Sequence, residues 1–154
     1  MTFSITIQLA DNSEGVPSAA LLKKWCKATL TQQKIKTAEV CIRVTSKKES
    51  AALNKTYRNK KGATNVLSFL AETPSAHVKN IKVPLLGDLV ICATLVNSEA
   101  KEQGKTTKAH WAHLVVHGTL HLLGYDHIKN KEALKMEALE IKILDTLGFD
   151  NPYN

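Results

Sequence analysis

The sequence has little of what marks secreted, disulfide-bonded or membrane proteins. Its three cysteines are widely spaced and include no CxxC pair, which argues against a disulfide framework and against a cysteine metal site. No apolar stretch reaches the roughly 18 residues that a membrane span needs, and no basic-then-apolar leader precedes the first strand-like run. We therefore expect a soluble, cytoplasmic protein whose cysteines are reduced core thiols.

Aromatic residues are also scarce, at 5% of the chain, and no aromatic-rich RNA-binding motif is present. We expect Trp25, Phe69 and Trp111 to lie in the core. The rest of the composition, with 44% hydrophobic and 23% charged residues, is ordinary for a globular protein. A length of 154 residues predicts one folded domain spanning residues 1–154.

Positive charge is in excess and unevenly distributed. The net charge is +7, and residues 43–61 contain seven basic residues against one acid. Such a block suits a polyanionic partner, and Lys55, Lys60 and Lys61 are candidates to bind RNA through its phosphates. The alternative is a lysine-rich face that only keeps the protein in solution.

Hydrophobic periodicity predicts alternating strands and helices. Period-two alternation predicts strands over residues 3–9 and 38–45, and two further short strands over 66–70 and 85–92, with a bulge at Gly87. Helices are predicted after Ser18, after Ser46, and over residues 93–103, 107–123 and 131–147. The pattern indicates an α+β or α/β fold.

The stretch "HGTLHLLGYDH", residues 117–127, has the spacing of a metal site. His117 and His121 are four residues apart and lie on one face of a helix. Gly124 is placed to end that helix, so that His127 can return as a third ligand. Three neutral imidazoles leave a divalent ion an open fourth position, as in catalytic zinc sites. Zinc is the first choice, although these ligands also suit nickel or cobalt; the alternative is that the histidines are ordinary core or surface residues.

The same stretch matches the metalloprotease pattern H-E-x-x-H-x-x-G-x-x-H except for its glutamate, which Gly118 replaces. That glutamate is the general base of those proteases, so its absence argues against a peptidase of this kind. His113 lies one turn earlier on the same face and is a candidate core residue, supporting residue or general base. His110 is expected to face solvent.

The histidine stretch, together with "LNKTYRNKKGATNVLSF" and "LLGDLVIC", resembles the YbeY family of bacterial endoribonucleases from about Leu53 to the C-terminus. The resemblance implies an α+β fold with a small mixed β-sheet flanked by helices, including a metal-binding helix. It places one divalent ion on His117, His121 and His127 and gives a catalytic role to Arg58. The family often has aspartate where this chain has Asn65.

The resemblance further implies a metal-dependent endoribonuclease specific for single strands. It would act in rRNA processing, especially 16S rRNA 3′-end maturation, and in ribosome quality control. The expected partners are ribosomal RNA and the small ribosomal subunit with its proteins, and neither a membrane nor DNA. The guanidinium of Arg58 could hold a phosphate through two hydrogen bonds.

The sequence allows more than one nucleophile and two other classes of protein. The nucleophile could be water or the 2′-hydroxyl of the RNA. The protein could instead be a non-catalytic ribosome assembly factor that contains a metal. The other alternative to an endoribonuclease is a metal-dependent hydrolase of another substrate, such as a peptide.

Overall fold

A computed structural model describes residues 2–11, 13–71, 85–126 and 128–154 of the chain. Its four strands form one mixed sheet in the order β1-β2-β4-β3. The first three strands in that order run parallel, and β3 pairs antiparallel with β4 at the edge. The strands are β1 (Thr2–Leu9), β2 (Thr37–Thr45), β3 (Val66–Leu70) and β4 (Leu85–Cys92). The α+β class and the mixed sheet are confirmed.

Five helices flank the sheet in the described part of the chain. Where a range was predicted, the ends of the observed helix lie within two residues of it. They are α1 (Ala19–Gln32), α2 (Lys47–Arg58), α3 (Ala93–Glu102), α4 (Thr107–Leu122) and α5 (Asn130–Thr146). The predicted caps are confirmed, because the side chains of Ser18 and Ser46 accept hydrogen bonds from backbone N–H groups of the first turn. Among the described residues, no helix has the length and apolar character to cross a membrane.

The β2–β4 pairing contains a bulge on β4, and the glycine at this bulge lies against the edge strand β3. The β2–β4 register advances from Glu39 opposite Leu85 to Val40 opposite Gly87, which leaves one extra residue on β4. Gly87 has φ +144°, and a Cβ at this position would collide with the carbonyl oxygen of Phe69. Only glycine therefore lets β3 lie along this part of β4.

The core lies between the sheet and α1, α4 and α5. Trp25 and Trp111 are buried in it as predicted, and the indole N–H of Trp111 donates to Asn97 Oδ1 at 2.8 Å. All three cysteines are free thiols, and burial raises the pKa of Cys26 to about 11. At neutral pH this thiol is protonated and unreactive.

Phe69 differs from its predicted place in the core. Side chains alternate along a strand, and the neighbouring Ser68 hydroxyl donates to the carbonyl of Gly118 in α4 at 3.3 Å. Phe69 therefore points to the opposite face of the sheet, where its ring lies edge-to-face with Tyr57 at 5.3 Å. It is half-buried rather than a core residue.

Candidate metal centre

Helix α4 arranges four histidines in a row along one of its faces. His110, His113, His117 and His121 follow one another at spacings of three or four residues, and their ring centroids are 6.3, 6.1 and 4.6 Å apart. Most of the other residues of α4 are buried against the sheet and neighbouring helices. The histidine row is thus the polar stripe of an otherwise buried helix.

His117 and His121 direct the same ring nitrogen towards each other. Their Nε2 atoms are 3.0 Å apart. His121 Nδ1 lies 2.9 Å from the carbonyl oxygen of Tyr125, which can only accept, so Nδ1 carries the proton. His117 Nδ1 lies 3.2 Å from the carboxylate of Glu140 and likewise donates. In the neutral rings both Nε2 atoms therefore present lone pairs to the same region.

This arrangement fits a divalent ion. Zinc–nitrogen bonds are about 2.0–2.1 Å long, so two imidazoles on one tetrahedral zinc have their nitrogens ~3.3 Å apart. The observed 3.0 Å is close to that separation. A carbonyl or carboxylate that fixes the other nitrogen is the usual environment of a metal-binding histidine.

The turn after α4 supports His121. Gly124 has φ +99°, and the N–H of Tyr125 donates back to the carbonyl of Leu120 at 3.1 Å, which reverses the chain as predicted. The reversal brings the Tyr125 carbonyl to His121 Nδ1. His127, the predicted third ligand, lies outside the described residues.

Glu140 is a residue of the site that sequence reasoning missed. It lies in α5 with only 1% of its side chain exposed, and it accepts hydrogen bonds from His113 and His117. Burial would raise the pKa of Glu140, but hydrogen bonds and positive charge from the two histidines outweigh it and lower the pKa to about 2. The sequence contained one signal, a glutamate within the apolar stripe of α5.

His113, His117 and Glu140 form a compact group that could itself hold a metal ion, with ligand atoms within 4.8 Å of one another. In the structure these atoms are joined by hydrogen bonds, at 2.5 Å from His113 Nε2 and 3.2 Å from His117 Nδ1 to the carboxylate. An ion here would have to displace the protons of both bonds. His113 thus lies next to the metal centre and supports Glu140 through a hydrogen bond.

His110 is buried, with 4% of its side chain exposed, so its predicted exposure is wrong. Its Nε2 lies 3.0 Å from Glu99 Oε1, and Glu99 also accepts from the amide of Asn65 at 3.1 Å. Burial lowers the pKa of His110, against the opposing effect of Glu99. The prediction failed because α3, which carries Glu99, covers this end of α4; a periodicity argument does not show such a neighbour.

A cavity of about 810 Å³ opens in front of His117 and His121. Alternate side chains of β3 line one wall, and the turn after α4 lines another. Arg58 and Lys60 lie at its rim. The structure therefore brings the predicted arginine, one predicted lysine and two predicted metal ligands to one cavity, whereas Lys55 and Lys61 are exposed without lining it.

Two polar residues of α2 hold the loop of residues 59–65, which carries Lys60. Ser50 Oγ donates to the carbonyl of Thr64 at 2.9 Å and accepts from its N–H at 3.1 Å. Asn54 Nδ2 donates to the carbonyl of Gly62 at 2.8 Å. These bonds fix the loop against α2 beside the histidines.

Gly118, where the protease pattern has glutamate, faces the sheet. A Cβ at this position would lie 2.9 Å from Leu89 Cδ2 and 3.4 Å from Val66 Cγ2. A glutamate side chain would therefore enter the contact between α4 and the sheet rather than the cavity. Position 118 therefore offers the cavity no side chain that could act as a general base.

Comparisons with known proteins agree with the motifs. The family model described as Endoribonuclease YbeY matches residues 6–148, which includes much of the N-terminal region that lacked a distinctive motif. A protein of Nitrosococcus oceani named Endoribonuclease YbeY is 53% identical over 153 residues, covering 99% of this chain and 98% of that protein. One of the same name from Xanthomonas axonopodis pv. citri is 54% identical over 149 residues, covering 97% and 92%.

A solved structure shares the fold. The solution structure of TM1509 from Thermotoga maritima has a TM-score of 0.58 and 21% sequence identity, covering 97% of this chain and 99% of that protein. The family match and the curated relatives together show that the chain belongs to the endoribonuclease YbeY family of RNA-cleaving enzymes.

Proposed function

We propose that this protein cleaves single-stranded RNA at the cavity in front of His117 and His121, with the help of one divalent metal ion. The observation that carries the proposal is the 3.0 Å approach of the two Nε2 atoms, each in a ring whose Nδ1 donates elsewhere. Two imidazoles oriented in this way are arranged for a shared ion. His127 is the proposed third ligand on the strength of its spacing in the sequence.

The ion is proposed to be zinc, because neutral imidazole nitrogens are favoured zinc ligands. When bound, a divalent ion would act as a Lewis acid that draws negative charge from a phosphate oxygen. Removal of the ion should abolish cleavage and leave most of the fold intact, since the sheet and the helix core do not include these ring nitrogens.

Arg58 is proposed to bind the phosphate that is cleaved. It is the last residue of α2, is exposed, and lines the same cavity as both histidines. Its guanidinium can form two hydrogen bonds to a phosphate and stabilise charge that develops during the reaction. Lys60 at the same rim would attract the flanking backbone, and Lys55 and Lys61 would add long-range attraction.

The substrate is proposed to be ribosomal RNA, especially the 3′ end of 16S rRNA, with a further role in ribosome quality control in the cytoplasm. Its support is the resemblance of the three sequence motifs and the basic block of residues 43–61. The small ribosomal subunit and its proteins are the proposed partners. A broad cavity with an arginine and a lysine at its rim fits a flexible single strand, whose phosphates can approach from several directions.

Cleavage of a precursor rRNA fragment by zinc-loaded protein tests this proposal. We expect the wild type to cut single-stranded regions. His117→Ala should reduce cleavage to background, and Arg58→Ala should reduce it by roughly 100-fold or more, as when one group that stabilises developing charge is lost. Lys101→Ala is the control, because Lys101 is an exposed cation of α3 that lies outside the basic block of residues 43–61 and does not line the cavity.

Folding and zinc content are measured for each variant beforehand. Cleavage that persists in metal-free His117→Ala would contradict the metal-dependent mechanism. A wild type that binds rRNA and unfolds when zinc is removed, without cutting RNA under any condition, would favour the non-catalytic assembly factor.

A further inference from the structure

We propose that Tyr153 is a positioning residue of the metal centre, acting through Glu140 to fix the orientation of His117. The C-terminal segment of residues 149–153 would then be part of the metal centre rather than a tail that merely covers α5. This inference rests on the proposed metal site at His117.

The contacts join Tyr153 to His117 through one carboxylate. The hydroxyl oxygen of Tyr153 lies 3.1 Å from Glu140 Oε1 and 3.0 Å from Oε2. Burial, together with the charge of Glu140, raises the pKa of the Tyr153 hydroxyl, which therefore keeps its proton and donates. Glu140 Oε1 in turn accepts from His117 Nδ1 at 3.2 Å.

Two contacts with the rest of the fold and one hydrogen bond within the segment hold the residues around Tyr153 in place. The ring of Phe149 packs edge-to-face against Trp25 at 6.0 Å between centroids. The side chain of Asn151 accepts from the N–H of Tyr153 at 2.8 Å, and Lys105 Nζ donates to the carbonyl of Pro152 at 2.6 Å. The position of the hydroxyl is thus set by the fold rather than by a flexible terminus.

A carboxylate with three donors has little freedom to rotate. Glu140 accepts from His113, His117 and Tyr153, and a carboxylate offers about four lone-pair positions. Loss of the tyrosine hydroxyl would leave only the two histidines to hold it. The carboxylate could then turn towards His113, and His117 would lose the partner that keeps its proton on Nδ1 and its lone pair on Nε2.

The test is Tyr153→Phe, which removes the hydroxyl and keeps the ring that packs edge-to-face with His113 at 5.4 Å. Zinc affinity is measured by competition with a chromophoric chelator, without RNA. The proton position on His117 is read from the nitrogen-15 NMR shifts of its ring in metal-free protein. We expect zinc to bind about tenfold more weakly, the low end of the range for loss of an outer-shell partner, and the Nδ1–H form of His117 to decrease.

Glu140→Gln should have a larger effect, towards 100-fold, because it changes the acceptor itself. Asn154→Ala and Glu132→Gln are the matched controls. Both residues are exposed; Asn154 is next to Tyr153 in the chain, and Glu132 lies on the same helix as Glu140. Both should leave the zinc affinity and the His117 spectrum unchanged.

The proposal is overturned if Tyr153→Phe matches the wild type in zinc affinity and in the His117 spectrum while Tyr153→Ala loses affinity, because ring packing alone would then explain the contact. An unchanged spectrum with weakened zinc binding would also overturn it, since the effect would not pass through His117. Failure of the wild type to cleave RNA would refute the proposed function but leave both of these readouts intact.

Discussion

The two ends of the histidine row in α4 carry the same side chain in the same helical register but meet different neighbours. At the N-terminal end, the Nε2 atoms of His110 and His113 lie against the carboxylates of Glu99 and Glu140. At the C-terminal end, the Nε2 atoms of His117 and His121 lie 3.0 Å from each other. Nε2 is thus bonded to a carboxylate at one end of the row, whereas at the other end two Nε2 atoms meet at the cavity.

The difference shows that histidine spacing identifies candidates and that the surrounding elements assign their roles. Helices α3 and α5 bring their glutamates to the row, and the turn after Gly124 brings a backbone carbonyl to His121. The carbonyl holds Nδ1 and leaves Nε2 facing the cavity. At His110 and His113 a carboxylate occupies Nε2 instead.

Removal of one histidine from each end of the row should have opposite consequences for zinc binding and for folding. His121→Ala should weaken zinc binding by more than the roughly 100-fold typical of losing an outer-shell partner, because a ligand itself is lost. His110→Ala should keep the metal but lower the free energy of unfolding by about 1–3 kcal/mol, since Glu99 loses its buried partner. Chelator competition and urea unfolding of both variants measure the two effects.

A reversal of this pattern would contradict the assignment. If His110→Ala lost zinc and His121→Ala kept it, the ion would sit at the N-terminal end of the row. If both variants lost zinc equally, the row would act as one site, which its neighbours argue against.

The charge on Glu140 should make the stability of the metal-free protein depend on pH. Its pKa falls from an ordinary 4.5 to about 2 in the folded state, so the unfolded state takes up the proton first as the pH falls. The stabilising contribution is therefore fully present above about pH 4.5 and is lost as the pH falls towards 2. A shift of this size corresponds to about 3 kcal/mol of unfolding free energy.

Urea unfolding of metal-free wild type and Glu140→Gln between pH 6 and pH 2.5 measures this contribution as the difference between the two proteins. Other acids titrate in the same window and cancel in that difference. A constant difference across the window would show that the carboxylate is not held in its charged form by the histidines.

The sequence predicted the fold well because its signals were local. Alternation and capping gave the elements within two residues of their observed ranges, and the caps at Ser18 and Ser46 are confirmed. The helical spacing of His117 and His121 and the turn at Gly124 also follow from neighbouring residues. Each of these features depends on steric and hydrogen-bonding preferences within a few positions along the chain.

The contacts that assign roles could not be predicted because they join distant parts of the chain. Glu140 is 23 residues from His117 in sequence, and the tyrosine hydroxyl that holds it comes from the C-terminal segment. The sequence predicts Phe69 in the core because alternation does not say which face of an edge strand is covered. The predicted exposure of His110 is wrong for a similar reason, because the position of α3 does not follow from the residues near His110 in the sequence.

A negative charge introduced at Asn65 should have a smaller effect than either of these changes. Its amide Nδ2 donates to Glu99 at 3.1 and 3.3 Å, and its Oδ1 accepts from the N–H of Val66 at 2.6 Å. Asn65→Asp would retain the second bond but place a carboxylate against that of Glu99. Like charges this close raise the pKa of one of them. Because Glu99 is 30% exposed, we expect screening to limit the loss to about 1 kcal/mol at neutral pH.

Asn65→Ala is the control that separates repulsion from the loss of the amide, since it removes the donor without adding charge. Only the aspartate variant should recover stability in higher salt and as the pH falls towards 5, where one carboxyl of the pair takes up a proton. RNA cleavage by Asn65→Asp should not exceed that of the wild type, because the hydrogen bond from the N–H of Val66, which an aspartate retains, holds the side chain at this position. A clear increase in cleavage would instead show that a carboxylate at residue 65 acts as a general base. The reaction would then depend on residue 65 as well as on the histidines.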